Sequence, residues 1–262
     1  MYSEEHKRYL KKIKKNKFLV RFTQITIIIF LIIIWQIAAD TNLINTFISS
    51  SPKAVLNTII KLYNSGDLFL HIFITFYEVI ISFILGTLIG LIIATLLWRY
   101  TFLAKVLDPY LTILNSLPKV SLGPIIIIIA GAGTKSIILM ALFISVIITI
   151  MDIESAFINT DINKIRLMQS FKAKHIQIFY KLILPSNFKN IISVLKVNLS
   201  LTFIGVIMGE FLVSKSGVGY LIMYGSQVFN LNLVITGIII LAVMASILYY
   251  LILFIEKRLS KW

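Results

Sequence analysis

Three long runs of uncharged, mostly apolar residues constrain the fold of this chain more than any other feature. They cover residues 22–39, 79–98 and 231–255. A helix needs about 20 apolar residues to cross the hydrocarbon core of a bilayer, which is about 30 Å thick. Of the 262 residues, 58% are hydrophobic and 14% charged, whereas soluble domains average about 45–50% and about 25%. This composition excludes an ordinary soluble enzyme and predicts an all-α integral membrane protein.

The remaining apolar segments bring the predicted number of transmembrane helices to about six. A fourth follows Lys135, and two more contain charges, namely Lys119 in one and Lys196 with Glu210 in the other. Both chain ends are basic, and two cytoplasmic ends require an even number of spans. We expect a basic cytoplasmic tail at 1–21, a transmembrane domain at 22–257 and a cytoplasmic end at 258–262. Within that domain, spans are expected at about 22–39, 72–98, 110–131, 136–157, 190–213 and 231–255, with a long cytoplasmic loop at 158–189.

The basic residues are distributed unevenly over this topology. The chain has 25 Lys and Arg against 11 Asp and Glu, a net charge of +14. Nineteen of the 25 fall in segments predicted as cytoplasmic and four in segments predicted as external. This bias follows the positive-inside rule, so the excess charge indicates topology and does not indicate nucleic-acid binding. The first apolar run exceeds the about 7–15 residues of a signal-peptide core, which favours an uncleaved signal-anchor helix.

Residue types that carry catalysis or hold metals are scarce. Cysteine is absent, which excludes disulfides, thiolate metal sites and a cysteine nucleophile. The histidines, His6, His71 and His175, lie far apart in the sequence without ligand spacing. We therefore expect no catalytic, cofactor-binding or metal site.

Two shorter patterns concern packing. Ser51 and Pro52 are a helix-start signal, and Val55, Ile59 and Leu62 then recur at helical spacing, which predicts a short amphipathic helix in the external segment 40–69. The pair Gly86–x–x–x–Gly90 permits close contact between membrane helices, and we expect this contact within the chain.

The basic loop at 158–189 is amphipathic. Its apolar residues fall on one helical stripe until Leu184–Pro185 interrupts the pattern. The stripe contains Met168, Phe171, His175, Ile178, Phe179 and Leu182. Structureless loops of this length are uncommon unless they have a function. Spacing alone leaves open whether this helix rests on anionic lipid headgroups or docks into another protein.

Residues 167–197 resemble the cytoplasmic EAA loop of permeases from binding-protein-dependent ABC importers, which has the form E-A-A-x-x-L-G-A and, about ten residues later, Leu-Pro. Phe171 stands at the leucine of that form, Lys172 at the glycine, Ala173 at the next alanine and Leu184–Pro185 at Leu-Pro. None of the E-A-A triplet, which falls on residues 166–168, is literal. A glycine permits a tight turn, so Lys172 means either a strained turn or a more helical one.

The resemblance continues on both sides of the loop. Residues 209–234 are similar to the glutamate and glycine-rich segment before the family's last span, while Ser51–Pro52 and residues 114–136 are similar to the branch importing nitrate, sulfonates and taurine. The resemblance implies a permease dimer (homo- or heterodimer), two cytoplasmic ATPase subunits that bind the ATP, and an extracytoplasmic solute-binding protein. It also implies ATPase-coupling roles for Met168, Phe171, Lys172, Ala173, Lys174, Ile178, Phe179 and Pro185. Phe171, Ile178 and Phe179 are expected as anchors in a groove of the ATPase.

Two charges inside predicted spans are candidate pathway or gate residues. Lys119 follows Pro118 and precedes Gly123–Pro124, so we expect a broken helix that lines a cavity and attracts an anionic solute. The alternative is a lysine that reaches the interface or pairs with Glu210. Glu210 itself is expected to face the bundle interior, either in a structural hydrogen bond or in a gate.

Two other function classes compete with a permease subunit. An integral-membrane lipid-modifying enzyme needs clustered acidic or histidine residues at one membrane face, but Asp152, Glu154 and Asp161 lack a metal-ligand partner and are explained by capping and solvation. A stand-alone secondary carrier would more often show internal repeats. Neither class explains the basic amphipathic loop, so we favour a non-enzymatic transport subunit of the plasma membrane.

Overall fold

The computed structural model describes residues 4–259. Thirteen α-helices lie within this range, in which no strand occurs. They are α1 (Glu4–Asp40), α2 (Thr46–Ser49), α3 (Pro52–Asn64), α4 (Asp67–Arg99), α5 (Thr101–Ser116), α6 (Gly123–Ala130), α7 (Thr134–Ile158), α8 (Ile162–Ser170), α9 (His175–Ile178), α10 (Leu184–Ser186), α11 (Phe188–Val213), α12 (Val218–Gln227) and α13 (Leu231–Leu259). A 3-10 turn (Lys119–Leu122) precedes α6, and a π-helix (Phe179–Ile183) precedes α10.

Five of these helices are long and apolar enough to cross a membrane, which confirms the predicted all-α membrane fold. They are α1, α4, α7, α11 and α13. The sixth predicted span, 110–131, is not a single straight helix. In its place α5 and the segment Lys119–Ala130 form a pair bent by 87°. The bend lies at Pro118, because proline provides no backbone donor and holds the preceding Leu117 in an extended conformation.

The core of the bundle is formed by α4, α7 and α11. Glycines allow the close approach: a Cβ on Gly90 would lie 2.5 Å from Thr149 Cγ2, and a Cβ on Gly86 would lie 3.0 Å from Ser145 Oγ. A Cβ on Gly205 of α11 would likewise overlap the Cα atom of Ala141 on α7. The predicted intrachain role of Gly86–x–x–x–Gly90 is therefore confirmed.

The predicted amphipathic helix is α3. The Ser51 hydroxyl caps it by accepting a hydrogen bond from the Ala54 N–H at 3.2 Å. Val55 is buried, and Ile59 and Leu62 pack against the bundle core as their spacing predicts. The helix ends at Asn64, and Gly66 then turns the chain into α4 with a φ of +83°.

Helix α1 lies at the edge of the bundle. It runs without interruption from Glu4 to Asp40, so most of the predicted basic tail is helical and continues into the first span. Its apolar side chains are largely exposed, and Gln36 Oε1 accepts a hydrogen bond from the Lys53 N–H at 3.0 Å. Residues 1–3 of the predicted tail and 260–262 of the predicted cytoplasmic end lie outside the described residues.

Candidate functional site

The loop at 158–189 folds into two short helices joined by a tight turn. Asp161 begins α8, its Oδ1 accepting a hydrogen bond from the Asn163 N–H at 2.9 Å, as expected for a capping residue. At the other end of the turn, the Lys174 N–H donates to Gln177 Oε1 at 2.8 Å and so begins α9. Of the single stripe predicted from periodicity, Met168, Ile178, Phe179 and Leu182 pack on one buried cluster, whereas Phe171 and His175, which lie beside the turn, are exposed.

Lys172 lies at the centre of this turn with a φ of +56°. The Lys172 N–H donates to the Gln169 carbonyl at 2.8 Å, and the Ala173 N–H donates to the Met168 carbonyl at 3.1 Å. This pair of bonds is a Schellman motif, whose left-handed residue is usually glycine. Of the two alternatives, the chain therefore keeps the tight turn and places a lysine in it.

The inner face of the loop packs on its own bundle. Ile178 is only 3% exposed, and the Phe179 ring lies 5.3 Å from that of Trp98 and 5.6 Å from that of Phe157. Since Ile178 and Phe179 fill this chain's own core, they are not available as anchors in a partner's groove, contrary to the prediction. Met168 and Ala173 pack against the same cluster.

The outer face of the loop carries exposed apolar and basic side chains. Phe171 is 74% exposed, and Lys172, Lys174 and Pro185 are exposed as well. Three large apolar residues that were not singled out from the sequence share the exposure: Leu167, Ile176 and Tyr180. The sequence marks these three residues only by their positions off the buried apolar stripe. We call Leu167, Phe171, Ile176 and Tyr180 with these two lysines the outer loop face.

The π-helix at Phe179–Ile183 connects α9 to the Leu184–Pro185 pair. Pro185 lacks a backbone donor, and its ring would clash with the carbonyl of a regular preceding turn, so a wider turn is favoured there. Beyond it, Asn187 Nδ2 donates to Thr160 Oγ1 at 2.7 Å and ties the end of the loop to its beginning. Leu-Pro thus fixes where the loop returns to the bundle.

The two candidate pathway residues lie in separate places. Lys119 begins the 3-10 turn at the α5–α6 break, where its Nζ donates to Asn115 Oδ1 at 2.9 Å. The alternative pairing of Lys119 with Glu210 is wrong, because both Glu210 oxygens bond elsewhere. Lys196, a further charge in a predicted span, pairs with Glu256 at 2.7 Å.

Glu210 joins three helices inside the bundle. It is 1% exposed, its Oε1 accepts from the Thr75 hydroxyl at 2.6 Å, and its Oε2 accepts from the Gly219 N–H. Thr75 Oγ1 in turn accepts from the Val218 N–H at 2.7 Å. Helix α12 is therefore held to α4 and α11 by bonds at its N-terminal end, where free N–H groups favour a negative charge. These contacts favour the structural role of Glu210.

The glycines before α12 make this approach possible. Gly217 has a φ of +111°, and a Cβ on either Gly217 or Gly219 would overlap the Glu210 carboxyl group. The Gly217 N–H donates to His71 Nδ1 at 2.9 Å. Within residues 4–259, no group of three or more His, Cys, Asp or Glu is arranged to hold a metal ion.

Comparison with known proteins decides the family. The model for "Binding-protein-dependent transport system inner membrane component" matches residues 86–261, about two thirds of the chain. The chain belongs to this family. The resemblance drawn from the loop is thus confirmed, the chain is a multi-pass plasma-membrane subunit of an ABC importer, and a transport role replaces the enzyme alternative.

Relatives of the permease share most of its length. The aliphatic sulfonates transport permease protein SsuC of Bacillus subtilis is 28% identical over 88% of this chain and 84% of its own. The taurine transport system permease protein TauC of Escherichia coli is 21% identical over 88% and 86%. A chain of the MetNI methionine ABC transporter, solved facing inward, has a TM-score of 0.62 at 20% identity and covers 73% of this chain and 93% of its own. That structural likeness shows the shared fold.

Proposed function

We propose that the permease works as two copies with two separate cytoplasmic ATPase subunits and an extracytoplasmic solute-binding protein. Its membrane helices form the path of a small solute, and the loop at 158–189 transmits the movement of the ATPases. The family, whose description names binding-protein dependence, supports this assembly. The chain contains no G-x-x-x-x-G-K-[ST] phosphate loop, so the energy comes from a partner.

The observation that carries this proposal is the outer loop face. Its apolar side chains flank a turn whose backbone is fixed by its own hydrogen bonds and whose inner face packs on the bundle. A rigid support lets a push on the outer face move α7 and α11, the helices on either side of the loop. Exposed aromatic anchors with a basic rim are the features of a protein docking surface, so docking is favoured over contact with headgroups.

Replacing Phe171 tests this docking. Phe171→Asp places a charge at the centre of the outer loop face, and we expect it to abolish co-purification of the ATPase subunit and to abolish uptake. Phe229→Asp is the matched control, since Phe229 is also 74% exposed but lies between α12 and α13. ATPase retention by Phe171→Asp at the control level would contradict docking through this face.

We further propose that the solute is a small anion, with a small organic solute as the other candidate. Lys119 supports the anion, because a charged ammonium at the bent α5–α6 segment is costly in a membrane unless it faces a polar path or partner. Among the relatives, SsuC is named for sulfonates, TauC for taurine and NrtB of Synechococcus elongatus for nitrate. RibX of Chloroflexus aurantiacus, named for riboflavin, keeps the other candidate open.

Removing the Lys119 charge tests the anionic path. We expect Lys119→Gln to reduce uptake of labelled ethanesulfonate or nitrate, whichever the intact system imports, at least tenfold while leaving ATPase co-purification unchanged. Lys135→Gln is the control, because it removes an exposed lysine near the start of α7. Unchanged anion uptake in Lys119→Gln would contradict a pathway role.

A further inference from the structure

A second acidic residue, Glu78, lies beside Glu210 in the bundle. Glu78 is 1% exposed, and among residues 4–259 neither its Oε1 nor its Oε2 has a hydrogen-bond partner. It stands three residues after Thr75 on α4, the side chain that binds Glu210, so both face the same neighbour. The Glu210 carboxyl and the Thr134 side chain both lie within interaction range of its carboxyl group.

The bonds made by Glu210 are those of an ionised carboxylate. Both of its oxygens accept hydrogen bonds, one from the Thr75 hydroxyl and one from the Gly219 N–H. A carboxylate accepts freely at both oxygens, whereas a protonated acid keeps only part of that acceptor capacity because its O–H group donates. Glu78, whose oxygens are both free, is therefore the member of the pair that can carry a proton and donate it.

No positive charge in this cluster compensates two carboxylates. His71 accepts the Gly217 N–H at Nδ1 and is therefore neutral, with its ring stacked on Tyr220 at 5.9 Å. Lys135 and Lys215, on the segments that flank the cluster, are both exposed. Two carboxyl groups held together in a buried site cannot both ionise without a large free-energy cost.

We propose that Glu78 and Glu210 together bind one proton, carried on Glu78 and donated to the Glu210 carboxylate. The proton gives one oxygen of Glu78 a hydrogen bond and leaves Glu210 able to bind Thr75 and the N-terminal end of α12. Loss of the proton places two negative charges in the site and loosens α12 from α4 and α11. The bound proton therefore stabilises the bundle, and this stabilisation disappears as rising pH removes it.

Infrared spectroscopy of the purified full-length permease in lipid tests this proton directly. At neutral pH we expect the C=O stretch of a protonated carboxylic acid, which Glu78→Gln abolishes and Glu154→Gln retains. Glu154 is the control because it lies toward the far end of α7, away from this cluster. Absence of the band in the unaltered permease, or its persistence in Glu78→Gln, would overturn the proposal.

Thermal unfolding over a pH series gives a second measurement. The melting temperature of the unaltered permease is expected to fall at alkaline pH, whereas that of Glu78→Gln stays level, because its amide donates to Glu210 at every pH. Glu210→Gln is expected to melt lower than Glu78→Gln at all pH values, since it loses one of two acceptors. Equal alkaline loss in Glu78→Gln and the unaltered chain would contradict a proton at this pair.

Discussion

At the residue scale, Lys172 forms a tight turn at a position where glycine is the usual residue. The Schellman bonds of the turn require a residue in the left-handed conformation. For an L-amino acid this conformation costs about 1–2 kcal/mol, a cost that the achiral glycine avoids. The bonds around Lys172 and the packing of Met168 and Ala173 on the bundle outweigh this strain. A lysine here adds a charge to the outer loop face without changing its shape.

We expect Lys172→Gly to stabilise the permease by about 0.5–1 kcal/mol, because the strain is removed while the unfolded chain gains some freedom. Thermal unfolding in detergent would then shift upward by about 1–4 °C. The matched control is Lys174→Gly, since Lys174 has an ordinary φ of −68°. An equal shift in both variants would contradict the assignment of strain to Lys172.

At the element scale, the sequence locates the helices better than it assigns their faces. Runs of apolar residues suffice to place α1, α4, α7, α11 and α13, because crossing a membrane is a matter of length and composition. Phe171 and His175 are misassigned because the turn at Lys172 interrupts the helix, so that both leave the inner face on which Met168, Ile178 and Phe179 remain. Such an interruption leaves no mark in simple periodicity.

The packing of α4 on α7 gives an element-scale prediction. Gly90→Ala puts a methyl group against Thr149 Cγ2, and we expect a destabilisation of about 1–3 kcal/mol, measured by thermal unfolding. Thr149→Ser deletes that Cγ2 but keeps the hydroxyl, which donates to the Ser145 carbonyl at 2.8 Å. The double variant should recover part of the loss. Simple addition of the two single effects would contradict a direct contact between these residues.

At the scale of the whole molecule, the permease places its buried polar groups and its partner surface in different parts of the bundle. The cluster around Glu210 joins α4, α11 and α12, while the outer loop face stands between α7 and α11. Glu210 could be singled out from the sequence as a charge in an apolar run. Glu78, the one charge in the predicted span 72–98, was open to the same argument, but only the fold shows that it lies beside Glu210.

Cross-linking tests the central proposal most directly, since the chain contains no cysteine of its own. Single cysteines at Phe171, Ile176 and Ile178 would be introduced into the permease co-expressed with its ATPase subunit. We expect Phe171→Cys and Ile176→Cys to form disulfide cross-links to cysteines around the ATPase groove, and Ile178→Cys, which is buried, to form none. Failure of both exposed positions, or a cross-link from Ile178→Cys alone, would contradict coupling through the outer loop face.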